Sequence, residues 1–351
     1  MKKTLLAIAA LAATSGAFAQ SSLTIYGVLD ASLERINADK GITRVSSDNL
    51  SSSRLGFKGT EDIGGGLKAG FVLEHNVKVD TGAAGNTRMW DRAAWVGLSG
   101  SFGELRLGRQ DSSIGDIAGN VLSAQTYDDF KFTGTRAGDK YRREDNAITY
   151  ILPVFVPGLT AQVQYSTNVG VSATTGTETA GSTEDQGKAW GLSVKYAAGP
   201  FAAGLGYLSA KDETVSVTAN AGEKGDAVLV YAGYDFGVAK VTGYYDNESK
   251  LYAGNKRFSL YGAKVSVPVT GEFTLIGGLS QAKNASAAST DSDSALMFSL
   301  KGIYALSKRT SVYGMLSYIN NDDNAALTID KQTITAGDSV TGVAFGIRHT
   351  F

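Results

Sequence analysis

Ser22-Leu-Thr-Ile-Tyr-Gly-Val-Leu-Asp-Ala-Ser-Leu-Glu34 decides the fold. Leu23, Ile25, Gly27, Leu29, Ala31 and Leu33 fall on one face, and Thr24, Tyr26, Asp30, Ser32 and Glu34 on the other. A helix groups its apolar residues three and four apart, whereas strict alternation is the period of a strand with two unlike faces. The pattern returns along the chain. Leu67, Ala69, Phe71 and Leu73 alternate with Lys68, Gly70, Val72 and Glu74. Leu159, Ala161, Val163 and Tyr165 do the same, as do Trp190, Leu192, Val194 and Tyr196, and Val343, Phe345 and Ile347.

Ahead of the first strand, Lys2 and Lys3 precede the apolar run Leu5 to Ala13 and the small-x-small site Ala17-Phe18-Ala19. That order predicts a secretory signal peptide over residues 1–19 and a single mature domain over 20–351. Removal of the two lysines moves the formal charge from -1 to -3. No run of 18 apolar residues follows, so no helix is long enough to span a bilayer. The chain has 43 glycines, 4 prolines, 16 tyrosines and 14 phenylalanines, and no cysteine. The last point excludes disulfides, thiol nucleophiles and cysteine-ligated metals. Its length would suit several domains, but the texture is uniform and carries no proline-rich linker.

The connectors separate a soluble sandwich from a barrel in lipid. Seven are short: 60–66, 100–103, 153–158, 197–200, 235–237, 268–271 and 306–310. Eight are long and polar: about 35–52, 75–90, 110–141, 167–187, 209–225, 246–256, 281–294 and 320–338. The two kinds alternate, which predicts sixteen antiparallel strands with short turns on one side and long loops on the other. In lipid every backbone polar group must be paired within the protein, so such a sheet must close. Sixteen strands leave an interior wide enough for water. Apolar residues then face lipid and their alternates face the lumen. Aromatic residues sit near strand ends, among them Tyr26, Trp95, Tyr150, Tyr165, Tyr196, Tyr234, Tyr304, Tyr318 and Phe351, and those whose rings point outward are expected to supply interfacial girdles.

Several segments resemble the general porins of Gram-negative bacteria, in the style of the β-proteobacterial group. Ser22 to Asp30 resembles their first strand. Ser53-Arg-Leu-Gly-Phe-Lys-Gly-Thr-Glu-Asp-Ile-Gly-Gly-Gly-Leu-Lys-Ala69 resembles the second strand, turn and third strand. Arg92-Ala-Ala-Trp-Val-Gly-Leu98 with Phe102-Gly-Glu-Leu-Arg-Leu-Gly-Arg-Gln110 resembles the hairpin before the constriction loop, and Gly346-Ile-Arg-His-Thr-Phe351 the closing strand. The resemblance implies a homotrimer in the outer membrane, surrounded by lipid and lipopolysaccharide and passing small hydrophilic solutes and inorganic ions. It implies no cofactor and no nucleic acid. It also implies a third long loop folded into the lumen, and three wall arginines facing that loop.

The matching arginines are Arg54, Arg92 and either Arg142 or Arg143. Alternation counted from Ile148 and Tyr150 favours Arg143, beside which Glu144-Asp145 dilutes the positive charge. Independently of the resemblance, Arg54 is out of phase with Leu55 and Phe57, and Arg92 with Ala93 and Trp95, which turns both toward water. An arginine facing mid-depth lipid costs ~2–4 kcal/mol, and basic residues are how anion pores are built. Arg35 and Arg109 are further candidates for the lumen. Asp111, Asp116, Asp128 and Asp129 belong to the third loop and are expected in part to face the arginines. Phe351 closes the outward pattern of Phe345, Ile347 and His349 and resembles the assembly signal of outer-membrane barrels.

Catalysis finds no foothold. The chain's two histidines, His75 and His349, fall at a loop start and on the lipid face, with no partner in view for nucleophilic work. Gly64-Gly65-Gly66 lacks the Lys-Ser/Thr and helix of a phosphate loop. Asn321-Asp322-Asp323 lacks the surroundings of a calcium loop. The expected function is a water-filled diffusion pore with weak anion preference. A solute-specific pore, or an adhesin acting through the long loops, are the alternatives.

Overall fold

The computed structural model describes residues 21–85, 88–121, 142–167, 188–211, 224–249, 257–284, 293–330 and 332–351. The expected signal peptide, Asp128 and Asp129 lie outside them. The strands are β1 (Ser22–Asn37), β2 (Ile42–Ser47), β3 (Arg54–Gly64), β4 (Leu67–Asn76), β5 (Ala93–Gly100), β6 (Gly103–Asp111), β7 (Arg143–Ile151), β8 (Leu159–Ser166) and β9 (Ala189–Ala198). They continue with β10 (Phe201–Lys211), β11 (Lys224–Asp235), β12 (Lys240–Glu248), β13 (Phe258–Pro268), β14 (Phe273–Lys283), β15 (Ala295–Ala305), β16 (Thr310–Asn321) and β17 (Val340–Thr350). Among the described residues one helix, α1 (Ser113–Val121), follows β6.

From β3 onward each strand pairs antiparallel with the next. β17 returns to β1, from Val28 opposite Thr350 to Asn37 opposite Thr341. The other edge of β1 is shared: β3 covers Ser22 to Val28, and β2 covers Ala31 to Ile36. β2 and β3 are therefore two halves of one stave, and the seventeen segments make a closed barrel of sixteen. Closure leaves no sheet edge, which is what lipid demands of a spanning sheet.

The outer face is apolar and bare. Leu23, Ile25 and Phe345 are 68%, 58% and 69% exposed, and Leu33, Val96, Val163, Leu279 and Ile347 share that face. Exposed apolar surface on this scale marks contact with a membrane or a partner, and its continuity around the barrel selects lipid. Rings gather at the short-turn rim, where Tyr196 lies 6.3 Å from Phe201 and Tyr234 4.7 Å from Phe236. Trp190 lies 5.0 Å from Tyr207 near the long-loop side. The seven short turns fall where expected. The turn between β3 and β4 uses Gly64, Gly65 and Gly66, all with positive φ (87°, 63° and 80°), a conformation that suits glycine.

Among the described residues three segments turn inward. The first corrects the expected loop over 35–52. The chain makes only a tight turn at 38–41 before β2, then a tongue over 48–53 that folds back onto β1. Its polar run imitates an exposed loop, but inward-facing β1 side chains hold it. Asp30 accepts from the amides of Leu50 (3.4 Å) and Ser51 (3.2 Å), and Asn49 donates to Ser32 (2.7 Å) and Glu34 (2.8 Å). Asp48, at φ 76°, accepts from Ser53 N–H and pairs with Lys78, both at 2.6 Å.

The second is α1. Ser112 caps it, its hydroxyl accepting from the Gly115 amide at 2.9 Å. Ile114 and Ile117 are fully buried against the inner wall of β9 to β11. The seat is cut by glycines: a Cβ on Gly206 would meet the Ser113 carbonyl oxygen at 2.8 Å and Ile117 at 3.0 Å. Burying each isoleucine is worth about 1.5–3 kcal/mol, enough to hold a short helix to the wall.

The third is formed by 322–330 and 332–339. Asn321 points inward from β16 and bonds the backbone of Leu327 in both directions, at 2.9 Å each. Ala325, Leu327 and Ile329 are buried against Ile36, Phe258, Leu260, Met297 and Ile319. The expected exposed polar loop is instead an apolar filling of the mouth. The inner face beneath it is apolar too, which corrects the expectation that all inward alternates are polar. Alternation reports only that two faces differ, not what each touches.

Candidate functional site

Glu74 on β4 anchors the basic wall. Its alternation with Phe71 and Leu73 turns it inward, opposite Gly56 of β3 and Ala93 of β5. Tyr26 donates its hydroxyl to one carboxylate oxygen at 2.9 Å, Arg92 reaches the other at 2.5 Å, and Arg54 stands 3.6 Å away. Arg54 also donates to the Ser52 carbonyl at 2.9 Å, so the tongue that interrupts its stave fixes its head. Two guanidiniums thus share one carboxylate. Tyr26, on the inward face of β1 as its alternation requires, belongs to this cluster.

Arg92 reaches the wall by a route that alternation misreads. On β5 the exposed, outward residues are Val96 and Leu98, so Ala93 and Trp95 face inward. Trp95 is accordingly not a girdle residue. Its ring stacks under Arg106 at 4.2 Å, and Arg106 is bidentate to Glu104. By phase alone Arg92 would face out. It faces Glu74 because it precedes the strand, where the period no longer governs it: its amide donates to the Glu74 carbonyl at 3.2 Å and its side chain follows.

Arg143 is a parallel case. Between Gly108 and Gln110 of β6 and the facing residues of β7 the register slips by one. Asn146 there takes φ 50° and Gly108 φ 125°. A bulge inserts one residue and reverses the phase, so counting from Ile148 does not carry to Arg143. Arg143 still stands 3.3 Å from Asp111 and within electrostatic range of Arg142, Arg92 and Arg109. Asp145, turned by the bulge, takes Arg88 at 2.7 Å and Arg109 at 2.8 Å. Here again two guanidiniums share one carboxylate. Arg142 lends its carbonyl to the Ser112 amide at 2.8 Å, tying the start of the inward loop to β7.

The remaining candidates separate. Asp116, expected opposite the arginines, faces the other wall: on α1 it bonds Ser193 at 2.8 Å and Lys195 at 2.5 Å. Arg35 is not a lumen residue. It shares the outward phase of Leu33, lies exposed near the long-loop rim and donates to Asn37 and Thr43 at 3.0 Å. Phe351 exchanges two 3.1 Å backbone bonds with Gly27 and lays its ring over that glycine on the outer face. His75 lies 3.4 Å from Asp91, and His349 2.9 Å from Thr310. Among the described residues no group of three His, Cys, Asp or Glu is placed to hold a metal ion.

Glu74, Arg88 and Asp145 carry no motif of their own, and Arg106 sits inside the Phe102–Gln110 motif without a role assigned to it. Glu74 and Arg106 were legible as inward alternates, while Arg88 and Asp145 depend on loop path and bulge.

A closed sixteen-stave barrel with an apolar belt, an inward helix and a charged inner wall defines an outer-membrane diffusion channel. The model of the Gram-negative porin family matches residues 7–324, and the chain belongs to that family. It is similar to outer membrane porin protein 32 of Delftia acidovorans, 35% identical over the full length of both chains. The anion-selective porin of Comamonas acidovorans superposes with a TM-score of 0.79 at 29% identity, over 95% of this chain and 100% of that one. The major outer membrane protein P.IB of Neisseria gonorrhoeae is 32% identical over 47% of this chain and 48% of its own. The protein is an outer-membrane porin for the passive diffusion of small hydrophilic solutes.

Proposed function

We propose that the pore prefers anions and that Arg54 and Arg92 set the preference. The carrying observation is that both share the single carboxylate of Glu74, while the acid on the inward helix, Asp116, is neutralised by Lys195 on the far wall. The mature chain is slightly acidic, but ions respond mainly to charge within about one Debye length, ~8 Å at physiological salt. Charges beside a narrow passage therefore outweigh the net charge. The anion-selective name of the Comamonas relative agrees with this reading. The test is reversal potential in a potassium chloride gradient across a planar bilayer. The wild type should favour chloride. Arg54→Ser with Arg92→Ser should raise conductance and move the potential toward cations. A wild-type pore that already prefers potassium sinks the proposal.

The working unit is a homotrimer exported through the leader at 1–19, and Phe351 serves barrel insertion. Its backbone exchange with Gly27 is the last rung of barrel closure. Deleting Phe351 should cut membrane insertion several-fold while export across the inner membrane continues. Normal insertion of the truncated chain would refute that role.

A further inference from the structure

A cavity of about 570 Å³ opens on the inner wall near the short turns, and neither Arg54 nor Arg92 is among its lining residues. Lys240, Lys264, Lys301 and Arg348 line it, with hydroxyls from Thr242 and Ser266, and no carboxylate is among its lining residues. Ile276 and Ile303 supply an apolar floor. The cations come from four staves of the regular wall: β12, β13, β15 and β17.

Register explains the convergence. Lys240 stands opposite Ser266, and Thr242 opposite Lys264, so the two lysines are diagonal neighbours on one sheet face. Such neighbours lie roughly 7–8 Å apart, and like charges on facing strands repel. Ile276 stands opposite Lys301, which brings a third cation to the same face. Arg348 is held by the tongue: its Nε donates to the Ser51 hydroxyl at 2.9 Å, and Ser51 and Leu50 form the cavity's other side. A lysine turned to lipid would be expelled by cost, so these positions must face the lumen. The repulsion between Lys240 and Lys264 is what a multiply charged anion between them would relieve.

We propose that this vestibule is a binding subsite for small organic oxyanions carrying two or more negative charges, separate from the Arg54–Arg92 wall. Several ammonium groups and hydroxyls set around one space suit phosphate or carboxylate oxygens, and the apolar floor suits a carbon skeleton. A monovalent ion such as chloride would meet the same field with a fraction of the attraction. The inference does not depend on the anion preference proposed for the arginine wall.

The experiment uses the full-length porin in a planar bilayer at fixed potassium chloride. Citrate or pyrophosphate is added to the short-turn side and the chloride current followed. Each probe should reduce the current along a saturating curve. Lys240→Gln with Lys264→Gln should raise the half-blocking concentration at least tenfold, while the Arg54→Ser, Arg92→Ser channel keeps it within about twofold. Tighter block by pyrophosphate identifies phosphate as the better oxyanion, and tighter block by citrate identifies polycarboxylates. If the double lysine variant fails to insert, Lys240→Gln alone carries the measurement, with a threefold rise expected. Current that falls without saturation, or a block unchanged in the lysine variants, overturns the proposal. A block lost only in the arginine variant places binding at the other wall and overturns it equally.

Discussion

The inner faces of β12 to β16 and of β2 to β7 obey different rules. On β13 and β15, Lys264 and Lys301 alternate without a break against outward Val265 and Leu300. Period and face agree from end to end. On β2 to β7 the period is broken by the tongue at 48–53, by the start of β5 after Arg92, by the bulge at Asn146 and by the departure of α1 from β6. The charged wall is assembled at those breaks. Regular strands build the wall that lipid requires, whereas irregular ones aim side chains that regular geometry would send elsewhere. Bulges and interrupted strands are over-represented at functional sites for this reason.

The largest expected effect tests the helix seat against the regular wall. Gly206→Val meets the Ser113 carbonyl and Ile117. Overpacking of that kind costs about 1–3 kcal/mol, and α1, tied to β6 and β7 at its start, can yield only toward the lumen. Single-channel conductance should drop by a third or more. The matched change Gly277→Val, on the lipid side of β14 where an added Cβ meets only Leu300 at 3.9 Å, should leave conductance unaltered. Equal behaviour of the two would mean that α1 is not seated as described.

A smaller but sharper test concerns β5. Trp95→Cys should react with a membrane-impermeant thiol reagent, and Val96→Cys should be shielded by lipid. The reverse labelling would restore the phase that puts Ala93 and Trp95 outside, and would leave Arg92 to be explained by alternation after all. The smallest effect belongs to Asp116→Asn. It frees Lys195 on the wall opposite the arginines, so the reversal potential should shift a few millivolts toward anions, well below the change from losing Arg54 and Arg92. A shift toward cations would show that Asp116 acts on the arginine side.

Much of the barrel was legible before any coordinates. Alternation located the strands, and the rhythm of short and long connectors counted the staves. Leu23, Phe71 and Val163 face outward, and Arg54, Lys58 and Lys195 turn the other way. Arg54 follows from phase because β3 runs regularly from its first residue. Arg35 could have been set aside on the same ground, since it shares the phase of Leu33. Arg92 and Arg143 were named through motif resemblance and a count of two that fails at each. Lys264 and Lys301 were within reach of the same count, applied to strands that carry no motif.

What the sequence determined alone is the two-faced wall. Period 2 is a property of the strand backbone, and lipid charges several kcal/mol for a mid-depth cation on the wrong face, so the pattern is written residue by residue. Only the tertiary structure decided what fills the wall. Whether 48–53 and 322–330 are loops or inward plugs depends on Asp30, Ile36 and Phe258, residues far away in the chain that offer them partners. Whether Asp116 faces arginine or lysine depends on glycines in β10 that let α1 lie against that wall. Such contacts join residues tens to hundreds of positions apart, and no local period records them.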